Sequence, residues 1–127
     1  MRLRRETPAG GGPATCKLAR KYGATARGVE PITNLYLTAD EHALLAMLPG
    51  ADLVKRRHHV SVDGLRFAVD VFEGPLAGRI IAEVEASDPA ALRAVRPPAW
   101  CGREITGEAA YAGAALARRG WPADPIP

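Results

Sequence analysis

Three segments in the middle of the chain, "LVKRRHHV", "LRFAVDVF" and "GRIIAEVE", alternate apolar and charged side chains and are divided by turns as short as "DG" and "GPLAG". A period of two marks a strand with two unlike faces, and turns this short join antiparallel neighbours. Leu53, Lys55, Arg57 and His59 share one face of the first segment, and Val54, Arg56, His58 and Val60 share the other. In the second, Asp70 falls with Arg66, Ala68 and Phe72, opposite Leu65, Phe67, Val69 and Val71. In the third, Arg79, Ile81, Glu83 and Glu85 oppose Ile80, Ala82 and Val84. Each strand therefore offers one face for packing against helices and one that holds charge.

The flanking sequence extends this pattern. "MRLRRE" alternates, "TPAGGGPAT" enforces a loop, and "CKLARKYG" resumes with Lys17, Ala19 and Lys21 on one face, which reads as a long-tipped hairpin. "EPITNLYLT" is a further strand. Its Thr38, with Glu41 three residues on, forms a capping box for a helix whose apolar face is Leu44, Leu45, Met47 and Leu48 and which Pro49 and Gly50 stop. Asp88 and Pro89 open a short helix, "RPPAWCGREIT" is irregular with room for one short strand, and "GEAAYAGAALARRG" is a helix stopped by Gly120. The segment from 121 to 127, "WPADPIP", is expected to be an extended tail. Mainly β with a few helices, such a chain can curl into a barrel whose lumen takes the charged faces.

A length of 127 residues fits a single domain. No apolar run approaches the roughly 20 residues that span a bilayer, and the N-terminus lacks a secretory h-region, so no membrane partner and a cytoplasmic address are expected. Cys16 and Cys101 lack metal-ligand spacing and read as reduced packing residues. Of 17 basic residues only Lys17, Lys21 and Lys55 are lysines. Nucleic-acid binding through the arginines would need aromatic platforms on the basic faces, where few of the aromatic side chains lie. His58 and His59 alternate to opposite faces and read as ordinary strand residues, and His42 as a surface residue.

Cations and carboxylates are segregated onto different strands. Clustered Lys and Arg repel one another unless a polyanion enters, and phosphate oxygens match guanidinium forks. Carboxylates on an adjacent wall repel that phosphate unless Mg²⁺ or Mn²⁺ lies between, bound through carboxylate and phosphate oxygens. The sign pattern asks for metal and phosphate together.

Four stretches, "VKRRHH", "FAVDVFEG", "AGRIIAEVE" and "PPAWCGREITGEAAYAGAALA", follow in order and spacing the pattern K-x-R-Y, W-x-V-D-x-F-x-G, G-L-x-x-A-E-x-E and W-x-G-x-E-V-T-x-D-x-R-Y-x-N-x-x-L-A. Over residues 53 to 117 the chain thereby resembles the CYTH domains, also called triphosphate tunnel metalloenzymes, whose relatives include class IV adenylyl cyclases and thiamine triphosphatases. Arg2 and Arg4 in "RLR" and Lys21 in "LARK" resemble the family's R-x-R and L-T-x-K strands.

The resemblance implies an α+β, mainly β fold: an antiparallel tunnel of about seven strands, one short of the family's eight, with two or three helices packed outside. It implies that Arg2, Arg4, Lys21, Lys55, Arg57 and an additional Arg79 hold phosphates. Glu83 and Glu85, with Asp70 beside them, would be the catalytic metal ligands for Mg²⁺ or Mn²⁺. The implied activity is metal-dependent hydrolysis of inorganic triphosphate, thiamine triphosphate or a nucleoside triphosphate. A non-catalytic polyphosphate- or nucleotide-binding module and an adenylyl cyclase are the alternatives. Relative to the family, the first strand with its E-x-E-x-K is missing, so the domain of residues 1–127 reads as N-terminally truncated, and Thr33 and Asn34 stand where acids are expected. A tunnel short of a strand exposes a hydrogen-bonding edge, which favours an open C-shaped sheet or a homodimer through that edge. Trp100, Glu104, Thr106 and Tyr111 match the C-terminal motif, with packing or capping roles expected for most and Glu104 the exception worth mutating.

Overall fold

Asp63 and Gly64 adopt φ of 49° and 76° and close a two-residue hairpin in the computed structural model, which describes residues 1–27 and 29–123. Positive φ at both central positions gives the turn whose twist matches its flanking strands, and Asp-Gly tolerates it. The strands it joins are β4 (Lys55–Val62) and β5 (Leu65–Phe72), paired from Val62↔Leu65 to Lys55↔Phe72. β5 pairs on its other side with β6 (Ile80–Val84), giving a three-stranded antiparallel sheet in the order β4-β5-β6. β5 and β6 are bridged by a 3-10 turn, Gly74–Leu76, as the proline-containing "GPLAG" requires.

This sheet belongs to the second of two compact units, Ala51–Pro127; the first is Met1–Gly50. The first unit holds β1 (Arg2–Glu6), β2 (Thr15–Lys21) and β3 (Ile32–Leu37), again antiparallel in the order β1-β2-β3, and α1 (Ala39–Leu45) beside them. The capping box forms as the sequence requires: the Glu41 backbone N–H donates to Thr38 Oγ1 at 3.2 Å and the Thr38 N–H to Glu41 Oε1 at 2.9 Å. Of the expected apolar face, Leu45 is half-buried, while Leu44, Leu48 and Met47, the last 80% exposed, are uncovered. Cys16 is buried, Cys101 half-buried, and both are free thiols.

In the second unit the apolar face of the sheet is covered at Phe67, where the Trp100 ring meets it edge-on at 5.8 Å. The charge-bearing face is not wholly charged. Alternation also places Phe72 and Ile81 on it, and that apolar end needs a cover. It is supplied by Leu76 and by Leu116, 2% exposed, on α3 (Gly113–Arg119), with Leu53, Ile81 and Trp121 at the margin. Burying a side chain such as Leu116 contributes about 1.5–3 kcal/mol. The division into one face for helices and one for charge is therefore corrected at this end.

Two further expectations are adjusted. The described residues hold six strands, not about seven, because the short strand allowed within residues 96–106 does not form: Pro97 and Pro98 lack backbone donors, and the Cys101 N–H turns back onto the Pro98 carbonyl at 2.9 Å. The alanine-rich C-terminal helix is split into a 3-10 turn, Ala109–Tyr111, and α3, with Ala112 extended between them; Gly120 at φ 79° ends α3 as expected. The helix α2 (Pro89–Arg93) is capped by Asp88, whose carboxylate accepts the Ala91 N–H at 2.7 Å. Trp121, at the head of the expected tail, packs edge-on against Phe72 and Tyr111, and the remainder of that tail from 124 onward lies outside the described residues. Among the described residues neither three-stranded sheet closes on itself. No helix among the described residues is long and apolar enough to cross a membrane.

Candidate functional site

Directly opposed residues of an antiparallel pair share a face, so the register fixes which charged side chains are neighbours. In the second unit the rows run Lys55–Phe72, Arg57–Asp70–Ile81 and His59–Ala68–Glu83. The central strand thus carries one carboxylate, Asp70, flanked by Arg57 on one side and an aliphatic residue on the other.

Asp70 is 1% exposed. Arg57 grips it with two parallel bonds, Nε to Oδ1 at 2.7 Å and Nη2 to Oδ2 at 2.8 Å, and Lys55 Nζ donates to the same Oδ2. Such a bidentate, charge-assisted contact is strong and directional. Arg57 Nη2 also reaches Glu83 Oε2 at 3.3 Å, and Glu83 has 58% of its side chain exposed. Below the Lys55 ammonium lies the Phe72 ring, 5.9 Å from its centroid. Glu85 follows the end of β6 by one residue and is exposed.

Burial alone would push the Asp70 carboxyl up, but the hydrogen bonds from Arg57 and Lys55, reinforced by their charges, outweigh it and hold the carboxyl below its usual 3.8. A carboxyl depressed in the folded state stabilises the fold above its unfolded value and loses that contribution as pH falls through the lower native value. The melting temperature of the wild type should therefore exceed that of Asp70→Asn near about pH 6, and the gap should close as the pH drops below about 4; a constant gap would contradict the pairing.

In the first unit, Arg2, Arg4, Lys17 and Lys21 lie on one face, in the rows Arg2–Ala19–Asn34, Arg4–Lys17–Tyr36 and Lys21–Ile32. Glu6, also on this face, takes a bond from Arg4 at 2.8 Å and lies 3.6 Å from Lys17 Nζ. Lys21 is paired with Glu30 at 3.2 Å. Lys17 is a candidate that motif matching passed over, although alternation placed it with Lys21. The same register puts Asn34 and Tyr36 on the cationic face and turns Thr33 away from it.

Lys55, Arg57, Asp70 and Glu83 are thus brought together in one unit, and Arg2, Arg4 and Lys21 share a face in the other. Arg79 aligns with the Phe72 row, since the Phe72 N–H donates to its carbonyl at 3.0 Å, but its guanidinium lies over the Trp121 ring at 5.1 Å. Tyr111 accepts a bond from Arg103 Nη2 at 2.8 Å and meets Trp121 edge-on, a packing role. Glu104 is exposed. No group of three His, Cys, Asp or Glu among the described residues is arranged to hold a metal ion.

The chain is similar to two proteins named inorganic triphosphatase. One, from Nitrosomonas europaea, is 42% identical over 55 residues, which are 43% of this chain and 36% of that protein. The other, from Acetivibrio thermocellus, is 39% identical over 57 residues, 45% of this chain and 35% of that protein. The matched segment spans about a third of the length of these curated relatives. No family model matches the chain, and no solved structure does.

Proposed function

We propose that the chain forms part of a CYTH-type triphosphatase that hydrolyses inorganic triphosphate, with Lys55 and Arg57 as the phosphate-holding pair. The observation that carries this reading is the placing of Lys55 and Arg57 on one buried carboxylate, on the sheet face that also bears Glu83. Similarity to two inorganic triphosphatases over nearly half the chain supports it and favours the inorganic substrate over thiamine triphosphate or a nucleotide. In the reaction a water oxygen bonds to the terminal phosphorus as the bridging P–O bond breaks, giving orthophosphate and pyrophosphate.

Cations that touch the non-bridging oxygens stabilise charge in this transition state, and fixed donors do so without reorganising. Lys55 and Arg57 would neutralise and orient the terminal phosphate. Magnesium needs one or two protein carboxylates when phosphate oxygens and water fill its other positions, and Glu83 and Glu85 match that donor count without a preformed three-ligand centre. Bound there, Mg²⁺ or Mn²⁺ would supply charge neutralisation and polarise the phosphoryl oxygens. Arg2, Arg4, Lys17 and Lys21 form a second cationic face, which we read as a further phosphate-holding surface.

A second reading, a binding module without turnover, is favoured by one observation: both Asp70 oxygens are engaged by cations, and no three-ligand metal cluster occurs among the described residues. Incubation with tripolyphosphate and Mg²⁺ or Mn²⁺ separates the two. Orthophosphate release that a chelator stops supports hydrolysis. Absence of release, with tripolyphosphate still raising the melting temperature in the absence of metal, supports binding alone.

A further inference from the structure

We infer that Asp70 is a positioning residue, which clamps Lys55 and Arg57 into one phosphate-binding pair and does not itself ligate metal; the inference rests on the triphosphate reading above. Asp70 sits mid-sheet with Ala68 and Phe72 next on its own face, Ile81 on one flank and Arg57 on the other. Its neighbours other than the two cations offer its charge no partner. A buried carboxylate in such surroundings persists only if it is paired and hydrogen-bonded, and the Arg57 fork and Lys55 supply this.

Oδ2 accepts from both Lys55 Nζ and Arg57 Nη2, so one oxygen holds the two cations side by side against their repulsion. A lysine ammonium carries three N–H donors. With one on Asp70, two remain for phosphate oxygens. A divalent ion at Asp70 would have to displace two cations already bound there, whereas Glu83 and Glu85 are exposed to an incoming metal–phosphate complex. Lys55, Arg57 and Asp70 together carry a net charge of plus one, which Glu83, 3.3 Å from Arg57, offsets until a divalent ion takes that carboxylate, and the clamp sets the direction of the donors in advance of binding.

Two measurements test this. The chain has only the lysines Lys17, Lys21 and Lys55, so the side-chain ammonium resonances of the ¹⁵N-labelled wild type are few enough to assign by substitution. Lys55 should exchange its ammonium protons with water more slowly than Lys21, and as fast exchange at Lys55 as at Lys21 would overturn the clamp whether or not the protein binds triphosphate. The second measurement is the kinetics of Asp70→Asn with tripolyphosphate. Turnover should fall about 100-fold, the loss typical of one misplaced charge-stabilising donor. KM should stay level or fall, and its dependence on salt should steepen, because the site gains a unit of positive charge.

A variant with a lowered melting temperature but with wild-type KM, salt dependence and turnover per folded molecule would assign Asp70 to stability alone and overturn the inference. So would a tenfold or greater rise in the Mg²⁺ needed for half-maximal activity, the mark of a lost ligand. A wild type with a slowly exchanging Lys55 but neither binding nor hydrolysis of tripolyphosphate would leave the clamp standing and remove the triphosphatase reading.

Discussion

Lys55→Met is expected to lower tripolyphosphate turnover about 100-fold while the fold survives. Removing one charge-stabilising donor at a phosphoryl or acyl centre costs that order of rate, and the Lys55 ammonium is one of two cations bonded to Asp70. Methionine keeps an unbranched apolar stem and loses only the ammonium that lies over the Phe72 ring, and the Arg57 fork still satisfies both Asp70 oxygens. Arg57→Met should be worse in a different way. It removes both of those bonds and leaves a buried carboxylate with Lys55 alone, so a stability loss approaching the roughly 3–5 kcal/mol of a broken buried ion pair is expected on top of the lost activity. Phosphate release and urea denaturation on the two variants separate the effects. Equal turnover in Lys55→Met and wild type would remove Lys55 from the site.

The second large effect is expected at the carboxylates on β6 and just after its end, Glu83 and Glu85. Glu83→Gln with Glu85→Gln should abolish the metal-stimulated part of hydrolysis, a loss of about 1,000-fold or more if the pair supplies the protein's share of the metal shell. Stability should change by less than about 0.5 kcal/mol per site, because Glu83 is more than half exposed and its 3.3 Å contact with Arg57 is a surface pair. Metal-free tripolyphosphate binding should tighten, since two negative charges leave the neighbourhood of the phosphates. Calorimetric titration with and without Mg²⁺ checks both halves. Undiminished metal stimulation in the double variant would exclude these residues as the donors.

Much of this site was legible because strand alternation is a strict rule. A period of two put Lys55 with Arg57 on one face of their strand and Asp70 and Glu83 on the charge-bearing faces of theirs, and the Asp63–Gly64 turn fixes the register that sets Arg57 opposite Asp70. The helix α1 was equally legible, since a capping box is a local device that two residues, Thr38 and Glu41, complete by themselves. What resisted was non-local. Alternation states that Phe72 shares a face with Asp70 but not that Leu116, more than forty positions away, will cover it. Trp121 looked like the start of a loose tail because its partners, Phe72, Tyr111 and Arg79, lie on three separate segments.

The pairing of opposite charges was hidden for the same reason. Sequence grouped Asp70 with the acids by sign, and only the register shows that its cross-strand neighbour is Arg57 and its diagonal neighbour Lys55. In the first unit, motif matching singled out Arg2, Arg4 and Lys21 and passed over Lys17, whose place beside Arg4 and Glu6 follows from the pairing Arg4↔Lys17.

The most direct measurement is a calorimetric titration of tripolyphosphate into the wild-type chain and into Lys55→Met at low and at moderate salt. Saturable binding to the wild type, weakened by salt and reduced at least tenfold in the variant, is the expected result. Equal binding by the two proteins, or no saturable binding by the wild type, would contradict the assignment of the Lys55–Arg57 pair as the phosphate-holding element.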